Sequence, residues 1–357
     1  MENNHTRPDG SESKLAVVFS LDEQYLDPFS VALGSLLMTN DVSKIEFYVF
    51  YDAESSERLF SDRVNSTLEK LQISLKAGPT YISVDAKDYS AYESTCTGSH
   101  MTYGKIAALK HVKEDYILCL DCDCLITGDI FGLLQEYRQE LPCAAVTDLR
   151  SPTHDKEGYT INGRKPENNL QYFNAGVLLF NRKRCKTDEI LVHFNQIADQ
   201  VEGARYDDQT YLNIVFNKQW QRLSPKWNAQ TSDGRTQAFY DSQISPIIHY
   251  IGKRKPWLSP TVNAANYLWL NYARALEIQV DEGFSKQLSR SYFFARFLSA
   301  TKLLDSAYLL YRWIGKDYRR SAGRLRDIRN LKNHSQILNE KLIDSGIAPP
   351  RDPLSLY

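Results

Sequence analysis

The sequence has no long apolar run, little cysteine and almost no net charge, and each shortage narrows the function. No stretch of about 18 apolar residues occurs, so no membrane-spanning helix is expected. The six cysteines are Cys96, Cys119, Cys122, Cys124, Cys143 and Cys185, and in 357 residues they lack the close, even spacing of a disulfide framework. Three of them lie in one apolar segment, which predicts reduced, buried thiols and a cytoplasmic location. A formal charge of −1, with 24 % charged residues, gives no positive field for nucleic acid, so no nucleic-acid partner is expected. The opening "MENNHTRPDGSESK" is polar throughout. It predicts a disordered leader over residues 1–13, neither signal peptide nor anchor. There is no internal repeat.

What the chain does have is aromatic side chains, 12 % of the total with 22 Tyr, and an alternation of short apolar runs with amphipathic ones. "KLAVVFSLD" (14–22), "IEFYVFYD" (45–52) and "TYISVDA" (80–86) predict strands, as does "YILCLDCDCLI" (116–126) as one strand. Between them, 27–40, 56–72 and 102–112 carry helical spacing. Further strands are expected at 143–148, 173–181 and 246–252, and helices near 187–200 and 208–217. Strand–helix alternation predicts an α/β fold with a mixed, mostly parallel central sheet. Ligands of such sheets bind beyond the carboxyl ends of the strands, so "SLDEQY" and "DCDC" should face one cleft.

Alternation along a strand puts Asp121 and Asp123 on one face with Ile117 and Cys119, and Cys122 and Cys124 on the other with Leu118 and Leu120. One ion cannot take both acids and both of those cysteines without breaking the strand. The cysteines therefore read as small core residues. Two acids ending an apolar strand are costly if buried unpaired. They are either solvated at the strand end or hold a hard cation such as Mg2+ or Mn2+. In "IIHYIGKRKPW" (247–257), His249 is either a satisfied core histidine or a ligand completing that shell. Gly252 allows close backbone approach to a phosphate and Lys255 can meet its charge. In "YDDQTYLNIVF" (206–216) an N-cap explains one of Asp207 and Asp208, but not the pair with Gln209.

In order and spacing, "VFSLDEQY", "TYGKIAAL", "YILCLDCDCLI", "YFNAGVLLFN", "YDDQTYLN" and "HYIGKRKPW" resemble glycosyltransferase family 8, especially the bacterial lipooligosaccharide α-galactosyl- and α-glucosyltransferases. The resemblance runs from about Leu15 to Trp257. It implies a Rossmann-like nucleotide-sugar-binding (GT-A) fold over residues 14–258; residues 259–357, which carry no further strand candidates, read by composition as a helical, basic and aromatic region. It also implies Mn2+-dependent transfer of galactose or glucose from a UDP-hexose, with retention, to a lipid-linked glycan acceptor, a lipopolysaccharide-type surface glycan. Carried over by residue, Asp121, Asp123 and His249 are metal ligands. Asp22 and Tyr25 hold the uridine, with Tyr25 on the base. Lys105 stands where relatives carry arginine near the donor sugar and phosphate. Cys122, between the two acids, joins the donor-binding set, as do Asn174, Ala175 and Gly176 of the sugar-pocket loop and Gly252 and Lys255 at the diphosphate. Asp208 and Gln209 lie beside the reacting carbon, and Asp148 near the acceptor.

Two other readings fit parts of this pattern. A haloacid-dehalogenase-type phosphatase would use Asp121 as nucleophile, but its motif normally opens the domain, whereas here an α/β half precedes it. A non-catalytic nucleotide-sugar-binding protein would keep the fold alone.

The stretch 291–333 is aromatic, apolar and basic. From Arg312 to Lys332 it has eight bases against two acids. This composition predicts an interfacial helix on an anionic membrane at the inner face of the cell membrane, the alternative being a helical cap with a solvated face. Truncation after about residue 290 is expected to leave transfer to a soluble acceptor intact and to abolish liposome co-sedimentation. Unchanged co-sedimentation would refute the membrane role.

Overall fold

A computed structural model describes residues 14–92, 98–138, 140–232, 235–236, 239–240, 243–253, 255–258 and 264–279. The leader, and the basic stretch 291–333 with the membrane role assigned to it, lie outside the described residues. The β-branched and aromatic runs form β1 (Leu15–Leu21), β2 (Ile45–Asp52), β3 (Thr80–Val84), β4 (Tyr116–Leu120), β5 (Cys124–Ile126), β6 (Cys143–Thr147), β7 (Phe173–Asn181), β8 (Trp220–Arg222), β9 (Ala229–Ser232) and β10 (Ile247–Tyr250). The runs with helical spacing form α1 (Leu26–Thr39), α2 (Glu57–Leu71), α3 (Gly104–His111), α4 (Phe131–Glu136), α5 (Thr187–Ile197), α6 (Asp207–Val215) and α7 (Ala264–Ala275).

The central sheet has seven strands in the order β8-β6-β7-β4-β1-β2-β3. Its neighbours pair in parallel, except that β7 runs antiparallel to both β4 and β6. Both faces are covered, as a mostly parallel sheet requires. On β1, Leu15, Val17, Phe19 and Leu21 join a core with α1, α2 and α7, while Ala16 and Val18 face a second core with α3, α5 and α6. The reversed β7 matters for the site: its first residues, not its last, lie at the edge where the parallel strands end.

The single strand expected over 116–126 is two strands. The chain leaves the central sheet after Leu120, turns through Asp121–Asp123, and resumes as β5 in a second sheet, of order Arg235–Thr236, β9, β10, β5. The turn is closed by Cys124 N–H donating to the Asp121 carbonyl at 3.0 Å, and Asp121 N–H donates to the Gly176 carbonyl at 2.9 Å. A continuous buried strand would leave two carboxylates without water or partners, and the turn releases them from that position. The cysteines keep the faces that alternation predicts: Cys122 and Cys124 share a core with Leu118 and Leu120, and Cys119 shares the other with Ile117. The short strands β8 and β9 have no counterpart among the sequence expectations.

Beyond residue 258, α7 packs into the first core through Leu268, Trp269, Leu270 and Tyr272. Lys70 Nζ caps its end by donating to the Leu276 carbonyl at 2.7 Å. No helix among the described residues is long and apolar enough to cross a membrane.

Asn213 is one of the side chains that fasten α6 to β7. Asn213 Nδ2 donates to the Phe173 and Gln209 carbonyls, both at 2.8 Å, and its Oδ1 accepts from Phe173 N–H at 2.8 Å. Asn213→Ala strands buried backbone groups. It is expected to cost about 2–4 kcal/mol in urea unfolding with an unchanged m-value; an unmoved midpoint would contradict this.

Candidate active site

The site is built where β1 and β4 end, β7 begins and α6 starts. The turn after β4 presents Asp121 and Asp123. The second sheet brings His249 to them, because β10 pairs antiparallel with β5 and sets His249 opposite Cys124. Its Nε2 lies 3.1 Å from Asp123 Oδ1 and 3.8 Å from Asp121 Oδ2. The ring lies against Gly176, where an added Cβ would come within 2.1 Å of its Cε1, so only glycine fits beneath it.

Charge compensation is local. Lys105 Nζ, buried, bridges Asp121 Oδ1 at 2.7 Å and Asp208 Oδ2 at 2.8 Å. Its own burial disfavours the ammonium, but the two carboxylates more than offset this and hold it protonated. Burial pushes the Asp208 carboxyl up to about 6, with Lys105 opposing and Asp121 adding to the rise, because two acids share one ammonium. Lys255 Nζ is paired with Asp123 Oδ2 and donates to the Tyr250 carbonyl at 2.5 Å. Burial alone would raise the Asp123 carboxyl; Lys255, and the His249 ring in its charged form, outweigh it and hold the group well below the usual carboxylate range.

A set of amides occupies the other end. Gln209 Oε1 accepts from Ala175 N–H at 3.0 Å and Asn174 Nδ2 at 3.1 Å, and its Nε2 donates to Asp148 Oδ2 at 3.3 Å. Asp148 is buried. Its Oδ2 also accepts from Asn174 Nδ2 at 3.0 Å, and its Oδ1 accepts from the backbone N–H of Arg150 at 2.8 Å and Ser151 at 2.7 Å.

The remaining expected residues lie beside this cluster. Asp22 Oδ1 accepts from Gln24 N–H at 3.0 Å and caps the short turn after β1. Tyr25 stands edge-on to Trp257, with ring centroids 6.3 Å apart, and Trp257 leans on Trp269 of α7. Burial, then the Asp123 and Asp121 charges, push the Tyr25 hydroxyl well above its ordinary range. Gly252 has a φ of 83°, in the left-handed region that favours glycine, and the exposed Arg150 guanidinium lies over it. The structure thus brings Tyr25, Lys105, Asp121, Asp123, Asp148, Asn174–Gly176, Asp208, Gln209, His249 and Lys255 into one connected neighbourhood. Asn228, Trp257 and Trp269 belong to it without having been expected. No sequence pattern marks Asn228, whose contacts are with residues distant in the chain.

The donor set suits a hard divalent cation. Asp123 Oδ1 is buried with no hydrogen-bond partner. Its 3.1 Å separation from His249 Nε2 matches two adjacent ligands of an octahedral ion with bonds of about 2.1 Å. The thiol of Cys124 is also near, since ligand atoms of Asp123, Cys124 and His249 all lie within 4.8 Å of one another. The break in the strand makes this approach possible. Yet burial pushes the Cys124 thiol well above its ordinary range, and it donates to the Gly176 carbonyl at 3.6 Å, so it is not offered as a thiolate. Cys122 likewise donates inward, to the Ser20 carbonyl at 3.9 Å.

Comparison with known proteins gives this arrangement a family. The model of "Glycosyl transferase family 8" matches residues 16–261. Glycosyltransferase GlyA of Streptococcus pneumoniae is 27% identical over 280 residues, 76% of this chain and 36% of its own length. GlyF of the same organism is 26% identical over 271 residues, 72% of this chain and 61% of its own. The chain therefore spans between about a third and two thirds of these relatives. Lipopolysaccharide 1,2-glucosyltransferase of Escherichia coli is 26% identical over 68% of this chain and 72% of its own. Among solved structures, galactosyltransferase LgtC in complex with donor and acceptor sugar analogs aligns with a TM-score of 0.58 at 21% identity, over 75% of this chain and 98% of that one. The WbbM bifunctional glycosyltransferase aligns with a TM-score of 0.57 at 18% identity, over 79% and 53%. Both share the GT-A fold with this chain.

The raised Asp208 carboxyl gives stability a sign with pH. From the ordinary 3.8 to about 6 the folded protein binds more protons than the unfolded chain, so this group's contribution falls as pH rises through that window. In metal-free protein, the stability of wild type relative to Asp208→Asn is expected to decline between about pH 4 and pH 6 in urea titrations. A constant difference would show that Asp208 is ionised throughout.

Proposed function

The chain belongs to glycosyl transferase family 8, and on that premise we propose that it is a retaining hexosyltransferase. It moves galactose or glucose from a UDP-sugar to a hydroxyl of a glycan acceptor, in the synthesis of a lipopolysaccharide-type surface glycan. The observation that carries this is the meeting of Asp121, Asp123 and His249 at the carboxyl edge of the sheet, with Asp123 Oδ1 buried and without a hydrogen-bond partner.

Those three residues would hold Mn2+, or Mg2+ in its place. The bound ion supplies electrostatic stabilisation to the diphosphate as it leaves. Lys255 adds a positive charge on the same side. Asp22 and Tyr25 bind the uridine, with the Tyr25 ring as a platform for the base. Cys122 contributes through its backbone, its thiol being turned into the core. Gln209 is a neutral amide, fixed by Ala175, Asn174 and Asp148, and it offers an oriented dipole beside the anomeric carbon rather than a nucleophile. Asp208, held by Lys105, orients the sugar and supports developing positive charge. Retention then follows from same-face attack. The bond from the anomeric carbon to the phosphate oxygen breaks, the acceptor hydroxyl bonds to that carbon on the same face, and its proton passes to the departing phosphate oxygen. Asp148, beneath this group, shapes the acceptor side. The site operates in the cytoplasm, with the basic aromatic stretch 291–333 attaching the enzyme to the inner face of the membrane.

Incubation with a panel of UDP-sugars and Mn2+ is expected to give slow hydrolysis of UDP-galactose or UDP-glucose. Asp123→Asn should reduce it to background, while Cys122→Ala and Cys124→Ala should retain it and lose about 1 kcal/mol of stability. Phosphate release from a generic ester without UDP-sugar hydrolysis would establish a phosphatase instead, and UDP binding without turnover a non-catalytic binding protein.

A further inference from the structure

We propose that Asn228 is a positioning residue that fixes the tautomer of His249, holding the proton on Nδ1 so that Nε2 faces Asp123 and Asp121 as a lone pair. The inference rests on the metal-binding role proposed for His249, but the tautomer follows from hydrogen bonds alone. Two backbone donors set the whole chain of amides. Gly176 N–H can only donate, and its partner at 3.1 Å is therefore the oxygen of Asn174, Oδ1. Asn174 Nδ2 then faces Asp148 Oδ2 and Gln209 Oε1 at 3.0 and 3.1 Å. The second backbone donor, Ala175 N–H, independently requires that Gln209 atom to be oxygen, so the two assignments agree.

Asn228 meets the same Asn174 Oδ1 at 2.8 Å, so it must present its NH2 there. Its own carbonyl oxygen is left facing His249 Nδ1 at 3.1 Å, and this contact is a hydrogen bond only if Nδ1 carries the proton. Asn228 is fully buried at the end of the short turn Pro225–Asn228, so both contacts are shielded from bulk solvent. In the neutral ring the lone pair is therefore on Nε2, 3.1 Å from a second acceptor, Asp123 Oδ1, that has no hydrogen-bond partner. With the ring neutral, two buried acceptors face each other across a gap that a positive charge fills, either a second ring proton or a metal ion. Gly176 takes part twice: its N–H orients the first amide, and its missing side chain leaves room for the ring. The cation end and the Gln209–Asp148 end of the site are thereby joined through Asn174. Partners that orient a ligating histidine in this way commonly contribute 10–100-fold in metal affinity.

Two measurements test this on the full chain. In metal-free wild type at pH 9, long-range 15N–1H NMR of the histidine rings should show His249 as the Nδ1–H tautomer, and Asn228→Ala should show a mixture or the Nε2–H form. Mn2+ titration followed by the EPR signal of the free ion should show 10–100-fold weaker binding to Asn228→Ala, with circular dichroism matching wild type. An Nε2–H tautomer in wild type overturns the proposal, and this holds even where the variant does not fold. Unchanged tautomer and unchanged Mn2+ affinity in a folded variant overturn it as well. Absence of Mn2+ binding in wild type would instead remove the metal reading of the site, while the wild-type spectrum still decides the role of Asn228.

Discussion

Carboxylates gathered at one edge of a sheet are the constraint from which the rest of this site follows. Asp123, Asp148 and Asp208 are buried, and Asp121 is partly open. Burying such charge without partners costs several kcal/mol per group. The chain answers in two ways. Asp121, Asp123 and Asp208 are matched by ammonium groups, with Lys105 shared between two acids and Lys255 given to one. Asp148 is matched by neutral N–H donors from two backbone groups and two side-chain amides. The first arrangement places two buried ammonium groups within the acid cluster. The second leaves a rigid lattice with no net positive charge, which suits the part of a site that must discriminate neutral hydroxyl groups. A division of labour between charged and neutral ends is thus visible in how each acid is satisfied.

The elements that alternate in sequence were legible because their periodicity is strong: the strands after Lys14, Lys44 and Pro79 and the helices between them lie where apolar spacing puts them. The acid pair was legible because carboxylates at the end of an apolar run need an explanation in any fold. The break after Leu120 was not. Alternation is preserved through the turn, so Cys122 stays on the face of Leu118 and Leu120 whether or not the strand continues. A pattern that survives the break cannot announce it. The reversal of β7 was equally silent, since its nine residues are buried on both faces and an apolar run has no direction. Asn228 was invisible for a third reason. Its importance lies in two contacts with residues distant in the chain, and a single asparagine carries no periodicity.

That reversal has a structural price and a functional return. Parallel strands all deliver their carboxyl ends to the ligand edge, and with them the loops that follow. β7 delivers its beginning instead, Asn174 to Gly176, so backbone N–H groups of a strand take the place of a loop. A paired strand is stiffer than a loop, and the N–H groups of Ala175 and Gly176 are the donors that orient both amides. The orientation of the polar network is inherited from the sheet.

The turn between the two sheets has a further consequence, for the order in which the molecule becomes competent. Asp123 is made early and its partner Lys255 lies 132 residues later, on the far side of β10. Contacts between such distant segments close large loops and form late in folding. A chain emerging from the ribosome can complete the central sheet, with Asp121 already paired to Lys105, while Asp123 still lacks His249 and Lys255, which come with β10 and the residues after it. Until β10 pairs with β5, Asp123 carries a charge without a partner, and such a charge favours a hydrated edge.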